Sequence, residues 1–261
     1  MTEEKQFSLT ALIDKWVEDS REEKVYESWR ASSIGGCPRS HFYRRLGIKP
    51  TTPPNKTSLR KFAVGDTFHK LIQDVATAQQ LGKEVGSYAV EVEQEVYDKE
   101  LDLGGRYDLL VHKDGKRILF DIKTVHSQAF WRLEKSGGTV KDQWPHYWKQ
   151  LGAYMLMLKN AGTPVDEGRI LLVSKDDLVT KEVSYLLTPE LEQSVRDEVG
   201  MLNDHWEKQS LLPCTCEGWK REYCSYGVDT GTKKVVECCP EELYDNFKKG
   251  SDKDVTDQDK A

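Results

Sequence analysis

The sequence lacks several features that would place it in large classes of protein. No stretch of the 261 residues approaches the ~20 consecutive apolar residues that a membrane helix needs. The first residues, MTEEKQFSLT, lack the basic and then apolar pattern of a secretion signal. No G-x-x-x-x-G-K-[ST] motif is present, which argues against a P-loop nucleotide hydrolase. We therefore expect a cytoplasmic protein that is not embedded in a membrane.

Acidic residues are missing from one stretch of a chain whose net charge is −6. Residues 31–65 contain no Asp or Glu. Their basic residues are Arg39, Arg44, Arg45, Lys49, Lys56, Arg60 and Lys61. Such a stretch is typical either of a surface for an anionic partner or of a solvated loop, and composition does not choose between them.

Hydrophobic periodicity predicts an α/β protein with a mixed sheet. The expected order is helices, three strands, a helix, two strands, a helix and a cysteine-bearing end. The strongest early helix covers about residues 58–80, and its predicted inward face holds Phe62, Phe68, Leu71, Ile72 and Val75. The expected segments are a helical and basic region (1–57), a core (58–210), a cysteine-rich region (211–240) and a disordered tail (241–261).

Two carboxylates and an ammonium interrupt apolar strands within residues 101–125. Asp121 and Lys123 are two residues apart, so their side chains point to the same side of a strand, and Ile122 faces the core. Asp108, on the preceding strand, can lie beside them. Buried carboxylates in a cluster usually imply a cation, and oxygen ligands suit Mg²⁺ or Mn²⁺. The alternative, an ordinary salt-bridged strand pair, is the better reading of an isolated D-x-K.

Three further motifs accompany D-x-K in a consistent order. They are "GDTFH" at residues 65–69, "GRYD" at residues 105–108 and "QLGAY" at residues 150–154. With "DIK" at residues 121–123, this set resembles the RecB-like branch of the PD-(D/E)XK nuclease superfamily, which includes the CRISPR-associated exonucleases. The resemblance implies a restriction-endonuclease-like core with a mixed central sheet flanked by helices.

The resemblance also implies roles for the residues in these motifs. The implied metal ligands are His69, Asp108, Asp121 and the backbone carbonyl of Ile122. The implied catalytic residues are Asp108, Asp121, Lys123, Gln150 and Tyr154. Glu91, Glu93 and Glu95 alternate on the preceding strand, and we select Glu95 as the additional acid of the site.

The chain has six cysteines, which a cytoplasmic protein does not need for structural disulfides. One early cysteine followed by a late group resembles the iron–sulfur members of the same branch. This implies a [4Fe–4S] cluster on Cys37, Cys214, Cys216 and Cys224 that links the N-terminal segment to the C-terminal one. The late spacing departs from the family pattern, so Cys238 or Cys239 could replace one ligand. Tetrahedral zinc is the competing reading.

We expect a metal-dependent DNA nuclease, most simply an exonuclease acting on single strands or DNA ends. The resemblance implies a role in recombination, repair, phage DNA processing or CRISPR adaptation. Any unwinding would have to come from a partner, either a helicase or another recombination or CRISPR protein. Arg39, Arg44, Arg45 and Arg60 are the expected contacts to DNA phosphates. The alternative is a DNA-end-binding adaptor with little or no catalysis, although Asp108, Asp121 and Lys123 are intact.

Overall fold

The computed structural model describes residues 8–20, 25–78, 87–217, 221, 224–229 and 235–249. The helices are α1 (Leu9–Asp19), α2 (Pro38–Arg45), α3 (Lys56–Ala78), α4 (Ser127–Ser136), α5 (Val140–Gln143), α6 (Pro145–Asn160) and α7 (Pro189–Glu207). The strands are β1 (Trp29–Arg30), β2 (Ala89–Val92), β3 (Glu95–Asp98), β4 (Leu103–Arg106), β5 (Leu109–Lys113), β6 (Lys116–Val125), β7 (Glu167–Ser174), β8 (Thr180–Tyr185), β9 (Gly227–Asp229) and β10 (Val235–Cys238). None of these helices has the length and apolar character of a membrane span.

A mixed five-stranded sheet in the order β2-β5-β6-β7-β8 forms the centre of the protein. β6 and β7 pair in parallel, and the other neighbours pair antiparallel. The connection from β6 to β7 runs through α4, α5 and α6, as a parallel pair requires. α3 approaches one face, where Gly65 lies near Thr124, and α6 approaches the other, where Gln150 reaches Asp121. The predicted mixed sheet flanked by helices is confirmed.

The sequence predicts two strands between α3 and β6, and the structure has four, β2 to β5. The alternating "SYAVEVEQEVY" breaks at Glu93, which has a φ of +50°, so that β2 and β3 separate. The next stretch breaks at Tyr107 and Asp108. β3 and β4 then join β1 in a second, three-stranded sheet, whereas β2 and β5 stay in the central one. The two breaks place Asp108 between two sheets and outside any strand.

Helix α3 forms as predicted, but its apolar face is largely uncovered. Phe62, Leu71 and Val75 are each more than half exposed, whereas Leu59 and Gln73 are buried. Helix α1 packs against α3 and leaves an open groove whose lining includes Trp16 and Phe62. The expected inward face is therefore only partly inward.

The N-terminal and C-terminal segments share one hydrophobic core with the central sheet. β1 pairs with β4, and Trp29 is fully buried. Phe42 of α2 packs against Tyr244, which lies in the helical residues 242–249. The sequence predicts a disordered tail from residue 241, but residues 242–249 are helical and fold against α2, because the ring of Tyr244 offers apolar surface that the core can bury. The remainder, 250–261, lies outside the described residues.

His41 of α2 gives the fold a dependence on pH. It is buried, and its Nε2 accepts a hydrogen bond from the backbone N–H of Arg30. Burial, together with the positive charges of Arg44, Arg45 and Arg30, lowers the pKa of His41 to about 3. An unfolded histidine titrates near ~6.5, so between these values the unfolded state binds the additional proton and stability is lost as the pH falls.

We therefore expect His41 to contribute a loss of about 2 kcal/mol in the free energy of unfolding between pH 7.5 and pH 5. Urea unfolding at both pH values, for the wild type and His41→Gln, measures this contribution. The variant should show a pH dependence shallower by that amount. Equal pH dependence in the two proteins would contradict the assignment.

Candidate active site

Asp108 lies where β4 ends and β5 begins, beside the middle of β6. The backbone N–H of Ile122 donates to Asp108 Oδ2 at 2.7 Å. His69, on α3, places its Nδ1 3.5 Å from the other oxygen, Asp108 Oδ1. His69 and Asp108, two of the predicted metal ligands, therefore meet although they come from α3 and the β4–β5 break. The contact at Ile122 is made by its N–H, whereas the predicted ligand is its carbonyl.

Asp121 and Lys123 point to the same side of β6, as predicted. Lys123 Nζ donates to Asp121 Oδ1 at 2.8 Å, and Gln150 of α6 donates to the same oxygen at 3.1 Å. Asp121 is only 2% exposed. Its Oδ2 also lies 2.8 Å from Lys123 Nζ, as an ion pair. Two carboxylates and a histidine that lie close together offer the oxygen-rich ligands that suit a hard divalent metal ion.

The charges in this cluster shift one another's titration. Burial and the neighbouring Asp108 raise the pKa of Asp121 to about 6. Burial also acts to raise the pKa of Asp108, but the His69 hydrogen bond and the Lys123 charge lower it overall. Burial acts to lower the pKa of Lys123, but the two carboxylates raise it, which keeps this lysine protonated. Lys123 also lies 5.3 Å from the ring centroid of Tyr147.

Gly105 of the "GRYD" motif and Tyr154 of the "QLGAY" motif lie in direct contact. A Cβ on Gly105 would lie 2.6 Å from Tyr154 Cε1, closer than atoms in real structures approach. The Tyr154 hydroxyl donates to the backbone carbonyl of Arg106 at 2.9 Å. Tyr154 thus anchors α6 against β4, one turn of helix after Gln150. We assign Tyr154 a positioning role, because its hydroxyl bonds backbone and not the cluster.

A cavity of about 670 Å³ opens beside Asp108. Its lining includes Asp66, His69, Gln73, Glu93 and Asp108. Glu93 is the glutamate of the β2–β3 region that reaches this cavity, where it accepts a hydrogen bond from Gln73 and pairs with Arg106. The alternation of acids was a usable signal, but it could not reveal the break at Glu93 that separates this residue from its neighbours.

The other two glutamates of this stretch lie away from the cavity. Glu95, the residue selected from the sequence, is an exposed member of β3. Glu91 accepts a hydrogen bond from the Tyr107 hydroxyl and also contacts His112. We therefore replace Glu95 by Glu93 as the additional acid of the candidate site.

The four arginines expected to bind DNA are engaged elsewhere in the structure. Arg39 donates to the backbone carbonyls of Leu212 and Cys239. Arg60 pairs with Asp14 of α1, and Arg44 donates to Ser33 Oγ. These contacts favour packing roles over phosphate contacts for Arg39 and Arg60. Arg44 is exposed, which leaves it open to an anionic partner.

Arg45 is the most buried of the four, with 8% of its side chain exposed. It pairs with Asp102 at 2.6 Å, and its guanidinium lies 4.4 Å and 4.2 Å from the ring centroids of Trp29 and Trp206. A guanidinium enclosed in this way forms an ion pair that stabilises the fold. A phosphate could reach Arg45 only if the packing opened.

The six cysteines lie together and none is in a disulfide. The four predicted ligands, Cys37, Cys214, Cys216 and Cys224, belong to this group, and so do Cys238 and Cys239. Three overlapping trios of sulfur atoms each lie within 4.8 Å, a spacing suited to metal binding. The structure thus brings together the predicted set and the two residues left open as substitutes.

Comparison with solved structures returns matches at low sequence identity. The crystal structure of SSO0001 shares 18% identity over 84% of this chain and 93% of its own, with a TM-score of 0.48. LHK-Exo in complex with dAMP shares 16% identity over 70% of this chain and 89% of its own, with a TM-score of 0.48. The alkaline exonuclease LHK-Exo from Laribacter hongkongensis shares 14% identity over 75% and 93% of the two chains, with a TM-score of 0.45. None of the curated proteins compared with the chain matches it in sequence.

Comparison with protein families matches residues 79–228 to the PD-(D/E)XK nuclease superfamily. The matched region contains the Asp108, Asp121 and Lys123 cluster together with Gln150 and Tyr154, and it spans more than half of the chain. The chain belongs to the PD-(D/E)XK nuclease superfamily.

Proposed function

We propose that the protein is a metal-dependent DNA nuclease of the RecB-like branch that degrades single-stranded DNA or DNA ends as an exonuclease. The observation that carries this proposal is the buried Asp121 carboxylate, which meets Lys123 and Gln150 and lies near enough to Asp108 for that charge to raise its pKa. Superfamily membership supports phosphodiester hydrolysis. The exonuclease mode and a place in recombination, repair, phage DNA processing or CRISPR adaptation follow from the sequence resemblance.

Each residue of the candidate site has a separate role in the proposed hydrolysis. Asp108, Asp121, His69 and the Ile122 carbonyl would hold one or two Mg²⁺ or Mn²⁺ ions. Such ions polarise a phosphate and make water a stronger nucleophile. Gln150 holds the Asp121 carboxylate in place through its hydrogen bond. Lys123, kept protonated by the two carboxylates, orients the attacking water and stabilises negative charge as it develops on the phosphate.

The cysteine cluster supports a second element of the proposal, a metal group held by residues other than those of the candidate active site. Thiolates suit both a [4Fe–4S] cluster, which the resemblance implies, and tetrahedral zinc. Either would link α2 to the C-terminal segment, since Cys37 precedes α2 and Cys214 lies 177 residues later. We propose DNA as the partner of the protein, with a helicase supplying unwinding.

Linear and circular single-stranded DNA of one sequence distinguish the exonuclease from its alternatives. With Mg²⁺ or Mn²⁺, the protein is expected to degrade the linear strand and spare the circle. Cleavage of both at equal rates would show an endonuclease. Binding of the linear strand but not of the circle, without cleavage of either, would favour the end-binding adaptor, against which the intact catalytic set already argues.

A further inference from the structure

All six cysteines of the chain meet in one cluster, although they come from four separate stretches. Cys37 lies at the start of α2, and Cys238 ends β10. Cys224, Cys238 and Cys239 are buried. A single four-coordinate ion or a single cubane cluster needs four thiolates, so the structure holds two more than either requires.

The positions of the sulfur atoms do not divide the cysteines into four metal ligands and two residues that bind no metal. The three close trios are Cys37–Cys214–Cys239, Cys214–Cys216–Cys238 and Cys224–Cys238–Cys239. Each of Cys214, Cys238 and Cys239 belongs to two trios. Those shared positions include both cysteines outside the set that the resemblance implies. The cluster is thus a continuous six-thiol unit.

Two of the three shortest sulfur separations match ligands that share one metal atom, and the third is shorter. Cys37 and Cys214 are 3.9 Å apart at Sγ, Cys238 and Cys239 are 3.9 Å apart, and Cys224 and Cys239 are 3.3 Å apart. Two thiolates on a tetrahedral zinc ion, each at about 2.3 Å, are about 3.8 Å from one another. A cubane places irons and sulfides between its protein thiolates, which separates those thiolates further.

We propose that the six cysteines form one binuclear site for two tetrahedral divalent ions, with zinc as the class of metal. Two four-coordinate ions need eight metal–sulfur bonds, and six thiolates supply eight when two of them bridge. The bridging pair comes from Cys214, Cys238 and Cys239, the positions shared between trios. Each thiol gives up its proton to solvent on binding, so up to six protons are released per site.

The surroundings of the cluster suit the charge of such a site. Six thiolates and two divalent ions leave a net charge of −2. Arg39 donates to the backbone carbonyl of Cys239, and Arg221 donates to that of Cys216. Both guanidinium groups lie at the backbone of the ligand segments, where their charge offsets that of the thiolates. This site goes beyond the proposed nuclease activity and does not rest on it.

Metal content of the purified wild-type protein tests the proposal. The protein is expressed in cells supplied with both iron and zinc and purified without oxygen, so that either group can form and survive. Zinc, iron and acid-labile sulfide are then measured per chain. Two zinc ions per chain, with no visible absorption, are expected. Four irons with sulfide, a single zinc ion or an absence of metal would each overturn the proposal.

Serine variants separate the six-thiolate site from the four-cysteine one. Cys238→Ser and Cys239→Ser are each expected to bring zinc below two per chain. A site built on Cys37, Cys214, Cys216 and Cys224 would instead keep its full metal content in both variants. Should these variants not fold, ¹¹³Cd-substituted wild-type protein decides. Two mutually coupled cadmium resonances support bridged ions, and one resonance refutes them.

Discussion

Replacement of Asp121 by asparagine is expected to lower the rate of DNA cleavage by on the order of 10³-fold while DNA binding persists. The amide keeps the size of the carboxylate and can still meet Gln150, but it removes the negative charge that would hold the cation. It also leaves Lys123 without its closest carboxylate. Cleavage of end-labelled DNA and fluorescence anisotropy in EDTA measure the two quantities separately.

Asp98→Asn is the matched control for this experiment. Asp98 is another buried carboxylate, but it accepts hydrogen bonds from the Leu101 N–H and from Asn160 at the far end of α6. Its neutralisation alters the packing of β3 without touching the cluster. Cleavage should therefore remain at the wild-type rate. Equal loss of activity in the two variants would assign the Asp121 effect to folding and not to metal binding.

The second large effect is expected on stability, at Arg45. Arg45→Ala should lower the free energy of unfolding by about 3 kcal/mol. It removes a buried charge that pairs with Asp102 and opens a gap between the rings of Trp29 and Trp206. Urea unfolding measures this change as a shift in the midpoint concentration of urea, provided that the m-value is the same for both proteins.

Arg44→Ala is the neighbouring comparison. Arg44 is exposed and donates to Ser33 Oγ, so its removal should change stability by no more than about 0.5 kcal/mol. If Arg45 bound phosphate instead, Arg45→Ala would leave stability unchanged and weaken DNA binding with a shallower salt dependence. That pattern would restore the sequence-based expectation for Arg45.

The proximity of residues in the candidate site could be predicted from sequence because each motif carries its own geometry. The spacing of Asp121 and Lys123 places them on one side of a strand, and that of Gln150 and Tyr154 places them on one face of a helix. The structure brings Asp121, Lys123 and Gln150 together near Asp108, whereas the Tyr154 hydroxyl bonds the Arg106 carbonyl. The exact position of Asp108 could not be foreseen, since period-two alternation continues across a break in which the chain changes sheets.

The environment of the basic residues could not be predicted from local pattern. Nothing near Arg45 in the sequence indicates the Asp102 and Trp206 that enclose it, because both are brought there by tertiary packing. The prediction that the apolar face of α3 is buried was wrong for a related reason. Periodicity shows that such a face exists, but only the partner, here α1, decides how much of it is covered.

The central claim, hydrolysis of DNA at the Asp108 and Asp121 cluster, is tested most directly with end-labelled single-stranded DNA. The wild type is assayed with Mg²⁺, with Mn²⁺ and with EDTA, beside Lys123→Ala under the same conditions. We expect degradation by the wild type with either metal, none in EDTA, and none by the variant. Cleavage in EDTA or by Lys123→Ala, or no cleavage by a wild type that still binds the strand, would contradict the claim.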